Sequence, residues 1–334
     1  MLFRRTTMSI ISVKNLSKEF QMAKRQKGFL GGIASLFSRE YSIKTALDGI
    51  DFEVGEGELV GYIGPNGAGK STTVKILSGI LVPTSGEVKV MGKTPWNHRV
   101  ETVRQLGVVF GQRTQLWWDL PVIESFELLK DIYGIPDKSY KDTLGALTEA
   151  LELSKLFAVP VRQLSLGQRM RCDIAASLLH SPKILFLDEP TIGLDAVSKL
   201  AVRDFIRHLN KAKQVTIMLT THDMDDIEAL CSRVLVLNEG KIFLDGSLDL
   251  LRKKIAPERR LVIDLVREYD TVSDPQAQLI KQEGHRVWLS YNPSKTSAPE
   301  LIARIIAKHA IEDLYMENPP IEEIIARLYR DANL

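Results

Sequence analysis

The sequence predicts an α/β protein built on a mostly parallel sheet, followed by a small α+β domain. Short apolar segments alternate with helical segments between Gly69 and about Gly246, which is typical of a parallel sheet covered by helices. A glycine-rich loop stands between an apolar strand and a helix near the start of this alternation. At Pro257 the pattern changes. We therefore place two domains, at 1–256 and 257–334.

The first part of the chain predicts antiparallel β structure interrupted by an insert. Residues 10–20 and 45–63 are rich in strand-forming residues, and Asp48-Gly49 marks a turn in the second stretch. Residues 21–44 carry a glycine-rich apolar stretch flanked by Lys and Arg, for which we predict a short amphipathic helix. Two interpretations of this insert stay open: a loop packed on its own domain, or a contact with a membrane surface or a partner.

A phosphate-binding loop is predicted where the apolar strand at 59–63 meets a helix. The loop and the first helical residues are Gly64, Pro65, Asn66, Gly67, Ala68, Gly69, Lys70, Ser71 and Thr72. The glycines allow successive backbone N–H groups to converge on phosphates, and the helix adds its positive end. Lys70 would place a full charge at the outer phosphates, and the Ser71 hydroxyl would bind magnesium. The sequence therefore predicts a nucleoside triphosphate site.

The middle of the chain predicts a sheet with a helical subdomain inserted into it. Residues 121–155 show helical periodicity alone, and we place the subdomain at about 112–180. The remaining sheet strands are predicted at 108–110, 184–187, 216–219 and 234–237. Residues that follow these strands are expected to meet at one edge of the sheet, where ligands bind in such folds.

Two adjacent carboxylates, Asp188 and Glu189, end the strand at 184–187. Asp188 would hold the metal ion, while Glu189 would face an attacking water and accept its proton. An acidic turn that caps a strand would explain either residue alone. It does not explain both in a chain that also carries the phosphate-binding loop.

A second helix start, at Leu164-Ser165-Leu166-Gly167-Gln168, has two interpretations. Ser165 and Gln168 have the spacing of a capping box, as in an ordinary helix N-terminus. The same geometry presents backbone N–H groups, a hydroxyl and the helix dipole to the outside, where a terminal phosphate would bind. The residues by themselves leave both open.

After a helix predicted at 248–254, Pro257 begins the small α+β domain. Its predicted order is strand 261–265, helix around 274–282, strand 286–291, helix 299–308, strand 311–316 and helix 321–329. The last helix has apolar residues at core-facing spacing, so we expect it to pack on this domain or on a second subunit.

Residues 10–250 resemble the nucleotide-binding subunit of ATP-binding cassette (ABC) transporters. The phosphate-binding loop is similar to the family's Walker A motif, and 184–189 to Walker B. Further motifs follow in the family's order: the Q-loop glutamine Gln112, the D-loop with Asp195 and the switch histidine His222. The family's signature is Leu-Ser-Gly-Gly-Gln, and Leu166 stands here in place of its first glycine.

The resemblance implies a P-loop NTPase of the ABC cassette type that uses ATP and Mg²⁺. It implies catalytic roles for Glu189, His222, Gln112 and Lys70, and metal ligation by Ser71, Gln112 and Asp188. It also implies that Ser165, Leu166, Gly167 and Gln168 act across a dimer, on the ATP held by the other subunit. Leu166 is bulkier than glycine and prefers negative φ, and we expect it to be tolerated.

Two aromatic contacts are expected from the same resemblance. The adenine should stack on Phe20, with Tyr41 as the competing ring. The segment at 115–121 lies where the family contacts its membrane partner, and it contains Trp117 and Trp118. These tryptophans would either anchor a helix of that partner or belong to the local core.

Composition favours a soluble protein without a nucleic-acid partner. Lys plus Arg number 44 against 42 for Asp plus Glu, and no basic stripe is present. No apolar run approaches the roughly 18 residues of a membrane-spanning helix, and a signal peptide is not evident. We therefore expect a cytoplasmic protein, peripheral on the inner face of the cell membrane through a permease.

The function expected from these features is an ATPase subunit that dimerises on ATP and powers a separate transmembrane permease. We expect a homodimer and an exporter of a drug-like or lipid-linked molecule. One alternative is an importer ATPase with a regulatory tail. Another is a soluble ABC clamp acting on ribosomes or DNA, although such clamps have paired cassettes or a long coiled coil between Walker A and Walker B, and neither is found here.

Overall fold

The computed structural model describes residues 9–23, 41–111, 113–255, 257–268 and 272–332. The chain divides into two compact units, Met1–Asp245 and Gly246–Leu334. The division precedes the helix Leu248–Ile255, which packs against the last helix of the second unit. It therefore falls one helix earlier than the domain boundary that we place at 257. The amphipathic helix predicted within 21–44 lies outside the described residues.

The described part of the first unit contains nine strands and seven helices. The strands are β1 (Ser9–Ala23), β2 (Tyr41–Gly55), β3 (Leu59–Ile63), β4 (Ser85–Val90), β5 (Leu106–Phe110), β6 (Ile184–Asp188), β7 (Thr216–Thr220), β8 (Arg233–Asn238) and β9 (Lys241–Ser247), which ends just past the division. The helices are α1 (Lys70–Leu77), α2 (Arg99–Val103), α3 (Val122–Tyr133), α4 (Asp137–Leu151), α5 (Leu166–Leu178), α6 (Ala196–Lys213) and α7 (Met224–Leu230).

The central sheet has the strand order β5-β6-β7-β3-β8-β9. The pairs from β5 to β8 are parallel, which confirms the predicted mostly parallel sheet. Because the carboxyl ends of parallel strands meet at one edge, the loops that follow β3, β6 and β7 are neighbours. The structure therefore brings together the phosphate-binding loop, the acidic pair and His222.

A separate antiparallel sheet has the order β2-β1-β4. Pairing between β1 and β2 continues to Ala23 and Tyr41, so both ends of the insert at 21–44 belong to these strands instead. The bounds 21–44 that we expect for the insert are therefore too wide at both ends, because residues 21–23 and 41–44 belong to the strands. Backbone pairing extends the hairpin beyond its apolar residues. This extension places Phe20 opposite Lys44.

Helices α3, α4 and α5 lie within the range 112–180 that we predict for a helical subdomain, and α5 packs against both α3 and α4. Phe126 of α3 packs edge-on against Phe157, with ring centroids 6.3 Å apart. Both cysteines, Cys172 and Cys231, are buried and unpaired. No helix within the described ranges is long and apolar enough to cross a membrane.

The core of the first unit joins the two sheets and α1. Tyr62 of β3 is fully buried, and its hydroxyl lies 2.9 Å from the hydroxyl of Thr73 on α1. Burial raises the pKa of this phenol, so it stays neutral. The strand before the phosphate-binding loop and the helix after it are thus tied together beneath the loop.

The second unit contains α8 (Leu248–Ile255), β10 (Arg259–Leu265), β11 (Ala277–Glu283), β12 (Arg286–Tyr291), α9 (Ala298–Ile306), β13 (Ile311–Glu317) and α10 (Ile321–Ala332). Its four strands form an antiparallel sheet with the order β11-β12-β10-β13. Apolar side chains of the sheet, such as Ile263 and Leu289, pack with Leu301 and Ile305 of α9.

The helix predicted around 274–282 is wrong, because this segment forms β11. Asp274 starts it with a turn, since its carboxylate accepts a hydrogen bond from Gln276 N at 2.9 Å. Gly284, with φ 58°, then allows the tight return into β12. The hairpin pairs Leu279 with Leu289, and this pairing between strands overrides the weak helical periodicity.

Candidate functional site

The loop after β3 leaves the N-terminus of α1 open. Gly69 occupies the N-cap position with φ 110°, and no side chain caps the helix. A Cβ at Gly69 would lie 2.5 Å from the Ala46 carbonyl oxygen, and one at Gly64 would lie 2.6 Å from that of Leu237. Both positions therefore require glycine, and the first backbone N–H groups of α1 stay available to an anion.

Lys70 folds back over this loop. Its ammonium donates to the carbonyl oxygens of Gly64 at 2.6 Å and Pro65 at 3.1 Å. Burial lowers the pKa of the amine, and the carboxylates of Glu189 and Asp188 oppose that effect. Phosphate oxygens are stronger acceptors for an ammonium than carbonyls are, so the side chain is placed to bind a phosphate in this cradle.

Three oxygen-bearing side chains meet beside the loop. The Ser71 hydroxyl donates to Oδ2 of Asp188 at 3.0 Å, and the Thr220 hydroxyl donates to Oδ1 at 2.5 Å. Hydroxyl and carboxylate oxygens are ligands that suit Mg²⁺. The pair Ser71 and Asp188 therefore fits the predicted metal site. Thr220 was not anticipated, because its position follows from the pairing of β6 with β7.

Glu189 and His222 form a close pair at the same edge. Nε2 of His222 lies 2.6 Å from Oε1 of Glu189, so the imidazole N–H donates to the carboxylate. Glu189 has φ 57°, a left-handed conformation that is uncommon for residues other than glycine. Its N–H donates to the Thr220 carbonyl at 2.9 Å, and its own carbonyl crowds Gly111, where a Cβ would lie 2.1 Å away. The turn at Glu189 is thus held from both sides.

A cleft of about 300 Å³ lies between the loop and the antiparallel sheet. Its lining includes Phe20, Gly67, Gly69, Lys70, Ser71 and Glu189. The structure therefore brings Phe20 to the phosphate-binding loop, where a base could stack on its ring. Nζ of Lys18 lies 5.2 Å from the centroid of that ring. The side chain of Tyr41 lies outside the described residues.

The four residues from Ser165 to Gln168 do not line this cleft. They form a complete capping box at the start of α5: the Ser165 hydroxyl accepts from Gln168 N at 3.2 Å, and Gln168 Oε1 accepts from Ser165 N at 2.9 Å. Leu166 is the first residue of α5 and is not among the residues with positive φ. The helix accommodates its side chain without backbone strain.

The predicted D-loop, which contains Asp195, lies against this helix start. Asp195 caps α6, and its carboxylate accepts from Ser198 N at 2.9 Å and from the Ser198 hydroxyl at 2.8 Å. These bonds lower the pKa of the Asp195 carboxyl. A Cβ at Gly167 would lie 2.7 Å from the Ser198 hydroxyl oxygen, so glycine allows α5 to approach α6. Gln112 lies outside the described residues.

A buried ionic cluster that sequence reasoning missed lies behind the Glu189–His222 pair. Asp226 of α7 is fully buried and accepts hydrogen bonds from the hydroxyls of Thr191 and Thr221. Arg203 of α6 donates to its other oxygen at 2.5 Å. Thr191 follows Glu189 closely and Thr221 precedes His222, so this carboxylate joins the two loops. An acid in the first turn of a helix is ordinarily exposed, and the sequence gives no sign of this burial.

Fold and site together define a nucleotide-hydrolysing P-loop cassette, and comparison with known proteins specifies its family. Residues 47–192 match the family model of the ABC transporter. The daunorubicin resistance ATP-binding protein DrrA3 of Streptomyces coeruleorubidus is 30% identical over 88% of this chain and 94% of its own length. The methionine import ATP-binding protein MetN of Halalkalibacterium halodurans is 31% identical over 85% and 84%, respectively. The chain belongs to the ABC transporter ATP-binding proteins.

Two further comparisons concern the coverage of relatives and the fold. The Probable multidrug ABC transporter ATP-binding protein YbhF of Escherichia coli is 34% identical over 71% of this chain, but the match spans only 42% of YbhF. A solved dimeric ATP-binding cassette in a post-hydrolysis state, bound to ADP and Pi, aligns with a TM-score of 0.60 and 26% identity over 71% of this chain and 98% of its own. The expected ABC cassette fold and ATPase class are confirmed.

Proposed function

We propose that ATP closes two copies of this chain into a dimer, that hydrolysis reopens it, and that this cycle drives a separate transmembrane permease. The observation that carries the proposal is the Glu189–His222 pair at 2.6 Å, at the same sheet edge as an open phosphate-binding helix. A carboxylate that accepts a proton, beside a hydrogen-bond donor for a phosphate, is the arrangement that hydrolysis of a triphosphate requires.

Within one subunit, the backbone N–H groups of α1 and the ammonium of Lys70 would bind the outer phosphates. Ser71, Asp188 and Gln112 would hold Mg²⁺, which when bound offsets phosphate charge. Glu189 would accept the proton of the attacking water, and His222 would donate to the terminal phosphate. The adenine would stack on Phe20.

Across the dimer, Ser165, Gly167 and Gln168 would contact the ATP of the other subunit. These residues lie outside the cleft of their own chain, which supports a role in trans. The solved relative is a dimeric ATP-binding cassette bound to ADP and Pi, which supports dimerisation of this chain. Asp195, whose carboxylate keeps its charge, would lie at the same interface, next to the start of α5.

We propose export as the direction of transport, of a drug-like or lipid-linked molecule. The names of YbhF and DrrA3 refer to multidrug transport and drug resistance, and the Leu-Ser-Leu-Gly-Gln signature with an appended C-terminal unit resembles that class. Import is the second candidate, because the MetN alignment also extends over most of both chains.

The surface for the permease is proposed at Trp117 and Trp118. Their side chains are 39% and 50% exposed, while the neighbouring Leu116 is buried. Of the two interpretations of these tryptophans, exposure supports the partner contact, because a local core would bury both rings. Docking there would hold the chain at the inner face of the membrane.

The Glu189→Gln variant tests the hydrolytic role. It keeps the shape of the side chain and removes the proton acceptor, so turnover should fall by about a hundredfold or more while ATP-driven dimerisation persists. Glu152→Gln is a matched control, since Glu152 is an exposed glutamate that also has positive φ, 52°. Unchanged turnover in Glu189→Gln would remove this residue from the mechanism.

Affinity purification from detergent-solubilised membranes tests the transport role. Multi-spanning permease subunits in stoichiometric amount would support it, and a requirement for a solute-binding protein would favour import. Recovery of ribosomes or DNA-associated proteins without a membrane protein would favour the soluble clamp. Trp118→Ala should lose the permease while retaining ATP-driven dimerisation.

A further inference from the structure

The segment from Thr114 to Leu120 is called the tryptophan loop here. Its C-terminal half is anchored by hydrogen bonds to α3 and to the residues before α5. Trp117 N donates to the hydroxyl of Ser125, a fully buried residue of α3, at 3.2 Å. Arg162 N donates to the Trp118 carbonyl at 3.0 Å, and Val161 N donates to that of Leu120 at the same distance. These bonds fix the loop behind the exposed rings.

A single buried carboxylate, Asp173 of α5, accepts hydrogen bonds from the N-terminal end of the tryptophan loop. Its Oδ1 accepts from the Thr114 hydroxyl at 2.8 Å and from Gln115 N at 3.1 Å. The side-chain amide of Gln115 donates a hydrogen bond from Nε2 to the backbone carbonyl of Asp173 at 2.9 Å. Burial raises the pKa of Asp173 to about 6, while these hydrogen bonds and Arg169 act in the opposite direction. The carboxylate is thus ionised near neutral pH, with donors from the loop around it.

The helix that carries Asp173 is also the one that begins at Ser165. Asp173 lies about two helical turns from Ser165, since an α-helix has about 3.6 residues per turn. One turn nearer to Ser165, the guanidinium carbon of Arg169 lies 5.7 Å from the centroid of the Trp118 ring. The tryptophan loop therefore contacts α5 at two successive helical turns, at Asp173 and at Arg169. A regular helix transmits such contacts along its length because its backbone bonds keep it stiff.

We propose that Asp173 is a positioning residue that joins the tryptophan loop and α5 into one rigid body and so sets the placement of Ser165 and Gln168 for dimer closure. The inference rests on the proposed function, because it requires that these residues close on ATP in trans. When a partner is bound and displaces Trp117 and Trp118, the bonds to Asp173 would move α5, and with it Ser165 and Gln168.

The test uses the full chain with Glu189→Gln, in which ATP should close the dimer without turnover. The ATP concentration for half-maximal dimerisation is followed by light scattering, and the affinity of the monomer by a fluorescent ATP analogue. Asp173→Ala should raise the dimerisation midpoint about tenfold, because it removes two hydrogen bonds to a charged group. Monomer affinity should change less than twofold, which separates positioning from general loss of structure.

A double-mutant cycle identifies the route of the effect. Thr114→Val should raise the midpoint about threefold, and its combination with Asp173→Ala should give less than the product of the two single effects, because both remove the Thr114–Asp173 bond and only Thr114→Val also removes the bond from Leu116 N. Thr114→Ser, which keeps the hydroxyl, and Asp173→Asn, which keeps an acceptor oxygen, should stay within about twofold of the parent.

Five outcomes overturn the inference. An unchanged midpoint in Asp173→Ala, independent effects that multiply in the double variant, or equal losses of monomer affinity and dimerisation would each do so. If Asp173→Ala does not fold, an unchanged midpoint in Thr114→Val does the same. A parent that binds ATP but never dimerises contradicts the proposed function itself, and the inference falls with it.

Discussion

The N-termini of α1 and α5 differ in whether a side chain caps them. Both helices begin after a loop in the family's two phosphate motifs, and both would bind a phosphate in the proposed cycle. Helix α1 starts at Gly69 without any side-chain cap, and the neighbouring Lys70 adds positive charge. Helix α5 starts at Ser165 with a complete capping box closed on itself.

The difference shows that the backbone N–H groups are free for an anion at α1, whereas at α5 the capping box already satisfies one of them. Uncapped N–H groups lack partners until a phosphate arrives, so α1 can bind a nucleotide within a single chain. At α5 the Ser165 hydroxyl accepts a bond from Gln168 N, which leaves its own O–H free to donate to a phosphate but already satisfies that backbone N–H. We therefore expect α1 to determine monomer affinity and α5 to determine dimer closure.

The largest expected effect is at α1. Lys70→Ala should weaken ATP binding by the monomer at least about a hundredfold, because the charge at the outer phosphates is lost. Lys75→Ala is the matched control, since Lys75 is exposed on the same helix. Titration with a fluorescent ATP analogue compares the two. Binding by Lys70→Ala at the parent's affinity would contradict the assignment of the loop.

The interiors of the two helices also differ, because α5 buries Asp173 whereas α1 contains no acid. The pKa of the Asp173 carboxyl is raised from its ordinary 3.8 to about 6 in the folded chain. Its contribution to stability is therefore present below about pH 4 and is lost as pH rises through about 6. Asp173→Asn removes this dependence, so its stability relative to the parent should rise over that interval, by at most on the order of 3 kcal/mol.

Calorimetric melting at pH 4, 5, 6 and 7 measures this difference. The parent and Asp173→Asn are compared at each pH, so the contributions of all other carboxyl groups cancel. A stability difference that does not vary with pH would show that burial does not raise the pKa of Asp173.

The smallest expected effect separates capping from phosphate contact at α5. Ser165→Ala should cost about 1 kcal/mol of stability through the lost cap and should also weaken ATP-driven dimerisation. Ser297→Ala is its control, because Ser297 closes an equivalent capping box with Glu300 on α9. The control should lose similar stability and dimerise normally. Equal dimerisation in the two variants would leave Ser165 as a cap alone.

Prediction from sequence succeeded where a local pattern carries the information. The phosphate-binding loop, the apolar strands and the capping box each lie within a few consecutive residues, and the structure contains all of them. Prediction failed at β11, where Leu279 and Ile280 were placed in a helix. A short edge strand depends on its partner strand, and the pairing with β12 is not visible in the segment itself.

The residues that sequence reasoning missed at the site share one property. Thr220 bonds Asp188 only because β6 and β7 pair in register, and Asp226 bonds Thr191 only because α7 lies against the loop after β6. Neither residue type is distinctive in its own position. The contacts of Thr220 with Asp188 and of Asp226 with Thr191 join residues 32 and 35 positions apart, which no local pattern records.

The sequence by itself determined the strand, loop and helix that can bind phosphates, because glycine conformation, helix polarity and a following lysine are local properties. Only the tertiary structure decided that Glu189 meets His222, that Ser165 lies outside its own chain's cleft, and that Asp173 is buried beneath the tryptophan loop. Those facts depend on strand order, on register and on which helix covers which loop. They arise when the apolar faces of distant segments pack together and carry their polar residues with them.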